Sequence, residues 1–179
     1  MSTELLNAEA LDGKLRGMAR AIAEMIGGKP REAALIGVRT RGAILAQRLQ
    51  KLLADEHDLA LPLGVLDITL YRDDLSTLDT HPIVRHTHLD FDVTDRLVIL
   101  IDDVLYTGRT VRSAMDEIVD FGRPRAIRLA VMVDRGGREY PIQADYAAIT
   151  VQTTGRDMIK VCFDEVDGEE KVILTSCPC

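Results

Sequence analysis

An α/β fold with a central parallel sheet is what this sequence predicts, and three segments predict it. The first is Val98-Ile99-Leu100-Ile101, four branched apolar residues in a row, which suits a parallel strand buried on both faces. After it come Asp102 and Asp103, a loop rich in hydroxyls and glycine, and then Val111, Ala114, Met115, Ile118 and Val119 at helical spacing, with Gly122 and Pro124 as the stop. The second is the apolar run 33–38, followed by Arg39-Thr40-Arg41-Gly42 and a helix whose Ala46, Leu49, Leu52 and Leu53 face inward. The third, 126–133, leads into Asp134-Arg135-Gly136-Gly137-Arg138-Glu139. Three polar strand ends therefore fall on one rim, where open α/β sheets bind ligands.

The remaining elements follow from periodicity. Ala8, Leu11, Leu15, Met18, Ala19, Ile22, Met25 and Ile26 trace one face of a first helix that Gly27-Gly28 ends. Alternation over 66–71 sets Leu66, Ile68 and Leu70 against Asp67, Thr69 and Tyr71, predicting a half-exposed strand, and Leu89, Phe91 and Val93 suggest a returning partner. The polar stretch between them, 72–87, is too long for a plain hairpin turn and reads as a lid or a solvated loop. Strands are expected at 145–149, 158–163 and 171–174, with Asp167-Gly168 as a turn before the last.

At 179 residues and 46% hydrophobic content, the chain suffices for one well-buried domain over 1–179 and is short for two. No apolar run approaches membrane-spanning length, and the start lacks the basic and apolar regions of a secretory signal, so a cytoplasmic protein is expected. Cys162, Cys177 and Cys179 do not form a disulfide framework, and the tail 175–179 reads as a frayed terminus. A formal charge of −7 argues against a protein that coats nucleic acid through bulk electrostatics. His57, His81, His86 and His88 have no metal spacing.

The loops carry the chemistry. Where a loop opens a helix, free N–H groups and the positive end of the helix dipole make an anion site, so 107–110 (Thr107, Gly108, Arg109, Thr110) would cradle a phosphate. Arg39 to Gly42 presents two cations in a tight turn and would hold a second anion. Asp102 and Asp103 cannot bind phosphate, but ionised acids accept hydrogen bonds from the vicinal hydroxyls of a sugar.

The stretch from Asp102 to Thr110 resembles the phosphoribosyl diphosphate (PRPP) signature of the type I phosphoribosyltransferases. With Asp67-Ile68-Thr69-Leu70-Tyr71-Arg72-Asp73-Asp74-Leu75, with Tyr106, and with Val133-Asp134-Arg135-Gly136, it is similar to the branch whose members join uracil transfer to control of pyrimidine operons, over about 11–172. The resemblance implies a parallel sheet flanked by helices, a small hood from 66–93 and the C-terminal strands, and a flexible flap near 72–87. It implies formation of UMP from uracil and PRPP, with magnesium brought by the substrate and held indirectly through Asp102 and Asp103.

By the same resemblance, Tyr106 to Thr110 take the 5′-phosphate, and Arg39, Thr40, Arg41 and Gly42 form a diphosphate loop with a cis peptide. Val133, Asp134 and Arg135 lie beside the base, and Asp102, Asp103, Arg72 and Asp134 serve catalysis. Purine-salvage members carry a carboxylate where Tyr106 stands; a phenol with a pKa of about 10 is a poor base at neutral pH, which favours a pyrimidine and leaves the proton acceptor open between Asp134 and solvent. UMP and UTP are implied as effectors, a pyrimidine leader mRNA as partner through Arg16, Arg20 and Arg138, and a homodimer or larger ring as the assembly, with the first helix as an interface. Ala19, Ala23 and Gly137 stand where RNA-binding members carry basic or histidine side chains. Three alternatives stay open: an RNA-binding regulator with little catalysis, a transferase for purines or another base, and a receiver-type signalling domain, which explains the two acids but not the Thr-Gly-Arg-Thr loop.

Overall fold

The computed structural model describes residues 2–68 and 87–176. Its strands are β1 (Ser2–Leu6), β2 (Ala33–Val38), β3 (Leu63–Leu66), β4 (Leu97–Leu105), β5 (Ala126–Asp134), β6 (Tyr146–Thr150), β7 (Met158–Cys162) and β8 (Lys171–Thr175). The helices are α1 (Ala8–Ile26), α2 (Arg41–His57), α3 (Arg109–Asp120) and the single turn α4 (Asp164–Asp167). Five strands form a sheet in the order β3-β2-β4-β5-β6, with every neighbouring pair parallel. The order reverses between β2 and β4, and the crevice beyond the carboxyl ends of strands at such a switch is the usual ligand site of an open sheet.

The apolar runs behave as their composition requires. Leu97, Ile99 and Ile101 of β4 turn into a core shared with α1 and α2, whereas Val98, Leu100 and Leu105 turn into a second core under α3. Helices therefore cover both faces, which is why the central strands read as continuous hydrophobic runs. Helix α1 starts on Asn7, whose side chain accepts the Ala10 N–H at 2.9 Å, and ends on Gly27 at φ +61°. Its apolar face, from Leu11 to Ile26, is spent inside this core, so that face is not the one a second copy would cover.

Several boundaries differ from the sequence reading. β4 runs on to Leu105, placing Asp102 and Asp103 within the strand. β2 pairs with β4 only as far as Gly37 opposite Ile101, whereas β5 follows it to Leu105. Thus the β2 side of Asp102 and Asp103 opens onto the crevice. β3 occupies Leu63–Leu66, and Asp67 and Ile68, expected in a strand, follow it outside one; positions 69–71, Arg72 and most of the flap lie outside the described residues, as do Cys177 and Cys179 of the tail. The expected return strand reduces to one bridge between Val65 and His88, because Leu89 and Phe91 pack their side chains over Gly64.

The hood is a separate antiparallel sheet in the order β1-β8-β7. Its first strand, Ser2–Leu6, is mostly exposed and carries no periodic signal. Segment 87–93 belongs to the α3 side instead. The turn expected at Asp167-Gly168 is the end of α4, closed by Gly168 at φ +66°. Val119, expected inward, is exposed.

Candidate active site

A cleft of about 580 Å³ lies at the switch point, walled by the loop after β2, the end of β4, the start of α3 and Ile159 of the hood. Two helices begin there, and the Arg109 N–H of the second donates to the Thr107 hydroxyl at 3.3 Å. Thr40 precedes α2 and Gly108 precedes α3; neither makes a side-chain cap bond, and neither helix has an acid in its first turn. Helix α1, away from the cleft, has both. Two positive helix ends with open N–H groups therefore face one cavity, the arrangement that favours anions.

Two glycines make this approach feasible. Gly108 sits at φ +91°, and a Cβ there would come within 3.2 Å of the Tyr140 side chain. Gly42 lets α2 start against β4: a Cβ would fall 2.8 Å from the Ile101 carbonyl oxygen and 3.1 Å from the Asp102 Cα. The glycine in the basic loop thus serves a helix–strand contact. The Arg39–Thr40 peptide bond is cis, as the resemblance implies for this loop.

Between the two helix ends stand the paired acids. Asp102 is buried at 5% exposure, and its Oδ1 accepts the Asp103 N–H at 3.0 Å. Burial pushes the Asp103 carboxyl above its ordinary range, against the lowering influence of Asp102 and the Arg41 charge. Such a carboxylate gains from any hydroxyl or cation that replaces lost water.

The structure brings together most residues expected at the site. Arg39, Thr40, Arg41, Asp102, Asp103, Tyr106, Thr107, Gly108, Arg109, Thr110 and Arg135 all line the cleft. The cations are engaged by protein groups: Arg39 Nε lies 3.6 Å from Asp67, and Arg109 pairs with Glu139 at 2.6 Å. The Thr107 carbonyl accepts the N–H groups of Glu139 and Tyr140, closing the 139–140 turn over the phosphate loop.

The base-side assignments need correction. Val133 is fully buried in the α1–α2 core. Asp134 lines a neighbouring cavity of about 530 Å³ instead of the cleft; its two oxygens take Arg138 at 2.6 Å and the Gly136 N–H at 3.0 Å. These bonds engage both of its oxygens, on the side away from the cleft. Arg135 lines the cleft but is not a free base-reading group. Its guanidinium lies 3.8 Å from the centroid of the Tyr106 ring and donates to Thr153 Oγ1 at 3.1 Å and to the Thr154 carbonyl at 3.2 Å. It holds the ring in place.

Arg138, expected on an RNA face, points inward and donates to the carbonyls of Tyr106, Gly136 and Ile142 as well as to Asp134. Gly137, at φ +70°, packs so closely on Tyr106 that a Cβ would lie 2.4 Å from the ring. Arg16 is exposed but pairs with Asp12 and Glu56; Arg20 is exposed on the same helix. Ser113 and Ile159 also line the cleft without having been singled out from the sequence. Ser113 lies one turn past the signature and could have been found from it; Ile159 arrives through tertiary packing.

This fold and site define a class. The chain belongs to the phosphoribosyltransferase family, whose phosphoribosyl transferase domain model matches residues 1–166, and within it groups with the PyrR proteins. It is 46% identical to the bifunctional protein PyrR of Pelotomaculum thermopropionicum, over 96% of this chain and 94% of that one. It is 48% identical to the bifunctional protein PyrR of Thermus aquaticus over the same shares. Among solved structures, a hypoxanthine phosphoribosyltransferase of Trypanosoma cruzi aligns with a TM-score of 0.74 at 18% identity, over 98% of this chain and 91% of that one. One of Staphylococcus aureus aligns with a TM-score of 0.72 at 18% identity, over 98% and 93%. These two structures speak for the fold alone. Among the described residues, no helix is long and apolar enough to cross a membrane.

Proposed function

We propose that the chain transfers the 5-phosphoribosyl group of PRPP to uracil, forming UMP and diphosphate. One observation carries this reading: two helix N-termini whose capping residues, Thr40 and Gly108, make no side-chain bond open on a single cleft, with two carboxylates between them. One end takes the 5′-phosphate, the other the diphosphate, and the acids take the ribose hydroxyls.

Breaking the anomeric C–O bond builds positive charge on the ribose and negative charge on the leaving diphosphate, so rate comes from anchoring both ends and stabilising both charges. The N–H groups at the start of α3, with Thr107 and Thr110, hold the phosphate. Arg39, Arg41 and the first turn of α2 receive the diphosphate. Asp102 and Asp103 fix the sugar by accepting its hydroxyl hydrogens, and their charge favours the ribosyl cation. Val104 and Ile159 offer apolar walls to a flat base beside the Tyr106–Arg135 stack. A tyrosine in place of a carboxylate at position 106 supports uracil over a purine.

The donor set suits magnesium, because Asp102 and Asp103 supply hard oxygens and two carboxylates leave room for substrate oxygens. They would hold the ion together with PRPP, and once bound it neutralises charge on the diphosphate. The resemblance gives Arg72 a part in catalysis and the 72–87 segment one in excluding water; 72–86 lie outside the described residues.

The test is diphosphate release dependent on uracil and PRPP. The double variant Asp102→Asn/Asp103→Asn should lose at least about 100-fold in kcat/KM; unchanged release overturns the reading. Hypoxanthine and guanine as alternative acceptors check the base. The relatives' description as bifunctional supports a second role in which UMP or UTP controls binding to a pyrimidine leader mRNA. Titration of such an RNA at low salt, with and without UMP, decides it: no binding, or binding indifferent to UMP, removes this role.

A further inference from the structure

One carboxylate of the hood, which the reaction scheme does not use, grips an arginine that lines the cleft. Arg41, the first residue of α2, donates from Nη2 to Asp167 Oδ1 at 2.8 Å and from Nε to Asp167 Oδ2 at 3.3 Å, a two-point grip that fixes a guanidinium in direction as well as place. The Asp167 side chain is only 6% exposed. It also takes Lys160 Nζ at 2.6 Å and the Phe163 N–H at 3.2 Å, so its own position is set by the hood. These partners, Arg41 foremost, hold its carboxyl far below the usual range. Seven residues along α2, Arg48 grips Glu165 and Glu170 and stacks over Phe163, so the helix is held along the face that meets the hood. Arg41 is also close enough to Asp103 to feel its charge.

We propose that Asp167 is a positioning residue for the diphosphate end of the site: it aims Arg41 at the mouth of the cleft and sets the affinity for PRPP and diphosphate. This rests on the reading of Arg39 to Gly42 as the diphosphate loop. Without Asp167 the guanidinium is left between Asp103 and solvent, with nothing to orient it. UMP has a base, a ribose and one phosphate but no diphosphate, so its binding does not depend on this aim. A merely structural role for Asp167 would weaken every ligand together.

The experiment compares wild type with Asp167→Asn and Asp167→Glu by calorimetric titration of PRPP, diphosphate and UMP, with thermal melting alongside. In Asp167→Asn, PRPP and diphosphate should bind about tenfold more weakly while UMP stays within about twofold. Asp167→Glu keeps the charge, tolerates folding if the amide does not, and should fall between the two for PRPP. A parallel loss of UMP affinity in the folded variants, or wild-type PRPP binding in both, overturns the proposal. Failure of the underlying reading shows up separately, as wild-type protein that releases no diphosphate from PRPP and uracil.

Discussion

Replacing Gly42 with alanine separates stability from function in a way the geometry makes quantitative. A Cβ at position 42 would lie 2.8 Å from the Ile101 carbonyl oxygen, 3.1 Å from the Asp102 Cα and 3.2 Å from Asp102 Oδ1. Two of these are backbone atoms of β4, so no rotamer change relieves the clash. Restoring an ordinary contact of about 3.5 Å requires the start of α2 to move off β4 by about 0.7 Å. Overpacking of this kind costs about 1–3 kcal/mol, and the better helix propensity of alanine returns about 1 kcal/mol.

The net loss is therefore about 0–2 kcal/mol, or a Tm lowered by no more than about 8 °C for a chain of this size. The displaced segment, however, is the one assigned to diphosphate, and misplacements near 1 Å cost on the order of 100-fold in rate. Gly42→Ala should fold, melt slightly early and lose about 10–100-fold in kcat/KM for PRPP. Steady-state kinetics and a melting curve on the same preparation check this. A variant with wild-type kinetics would refute the argument that the close approach of α2 to β4 sets the site.

Three further outcomes are expected. Asp103→Asn should melt above wild type at pH 7 while losing transfer. Burial raises the Asp103 pKa above its unfolded value of 3.8, so the ionised form costs stability above that range; the cost disappears as the wild-type group protonates on acidification, and the gap between the two proteins should close towards pH 4. Arg138→Ala should destabilise by about 2–3 kcal/mol, because it strips partners from Asp134 and from the Tyr106 and Ile142 carbonyls; denaturant titration measures it, and a loss below about 0.5 kcal/mol would mean the arginine is a surface group after all. Tyr106→Phe keeps the ring beneath Arg135 and should retain transfer within about threefold, whereas a loss near 100-fold would give the hydroxyl a direct part in proton transfer.

Much of the architecture was legible because burial on two faces leaves a strong mark on composition. Val98 to Ile101, Ala33 to Val38 and the apolar side of α1 could hardly be anything else, and the loops after the first two runs announced anion sites through glycine, hydroxyls and the helices they open. The weak elements were those whose stability comes from partners distant in sequence. Ser2–Leu6 is a strand because β8 supplies its hydrogen bonds, and 87–93 fails to become one because its side chains already have a sheet face to cover.

The site divides along the same line. The order of chemical groups along each strand end could be read from local spacing: Arg39 to Gly42, Asp102 and Asp103, Thr107 to Thr110. Spacing along one chain suffices for such local motifs, since a strand–loop–helix turn places them within a few ångströms of one another. Which side chains face the cleft, and which are already paired, depends on packing between elements far apart in the chain. Arg135 supports Tyr106, Arg138 ties Asp134 inward, and Arg41 is held by Asp167 from the hood. Whether a charged group is free or paired depends on what lies within a hydrogen bond of it in space, and separations such as the 126 residues between Arg41 and Asp167 leave no trace in local pattern.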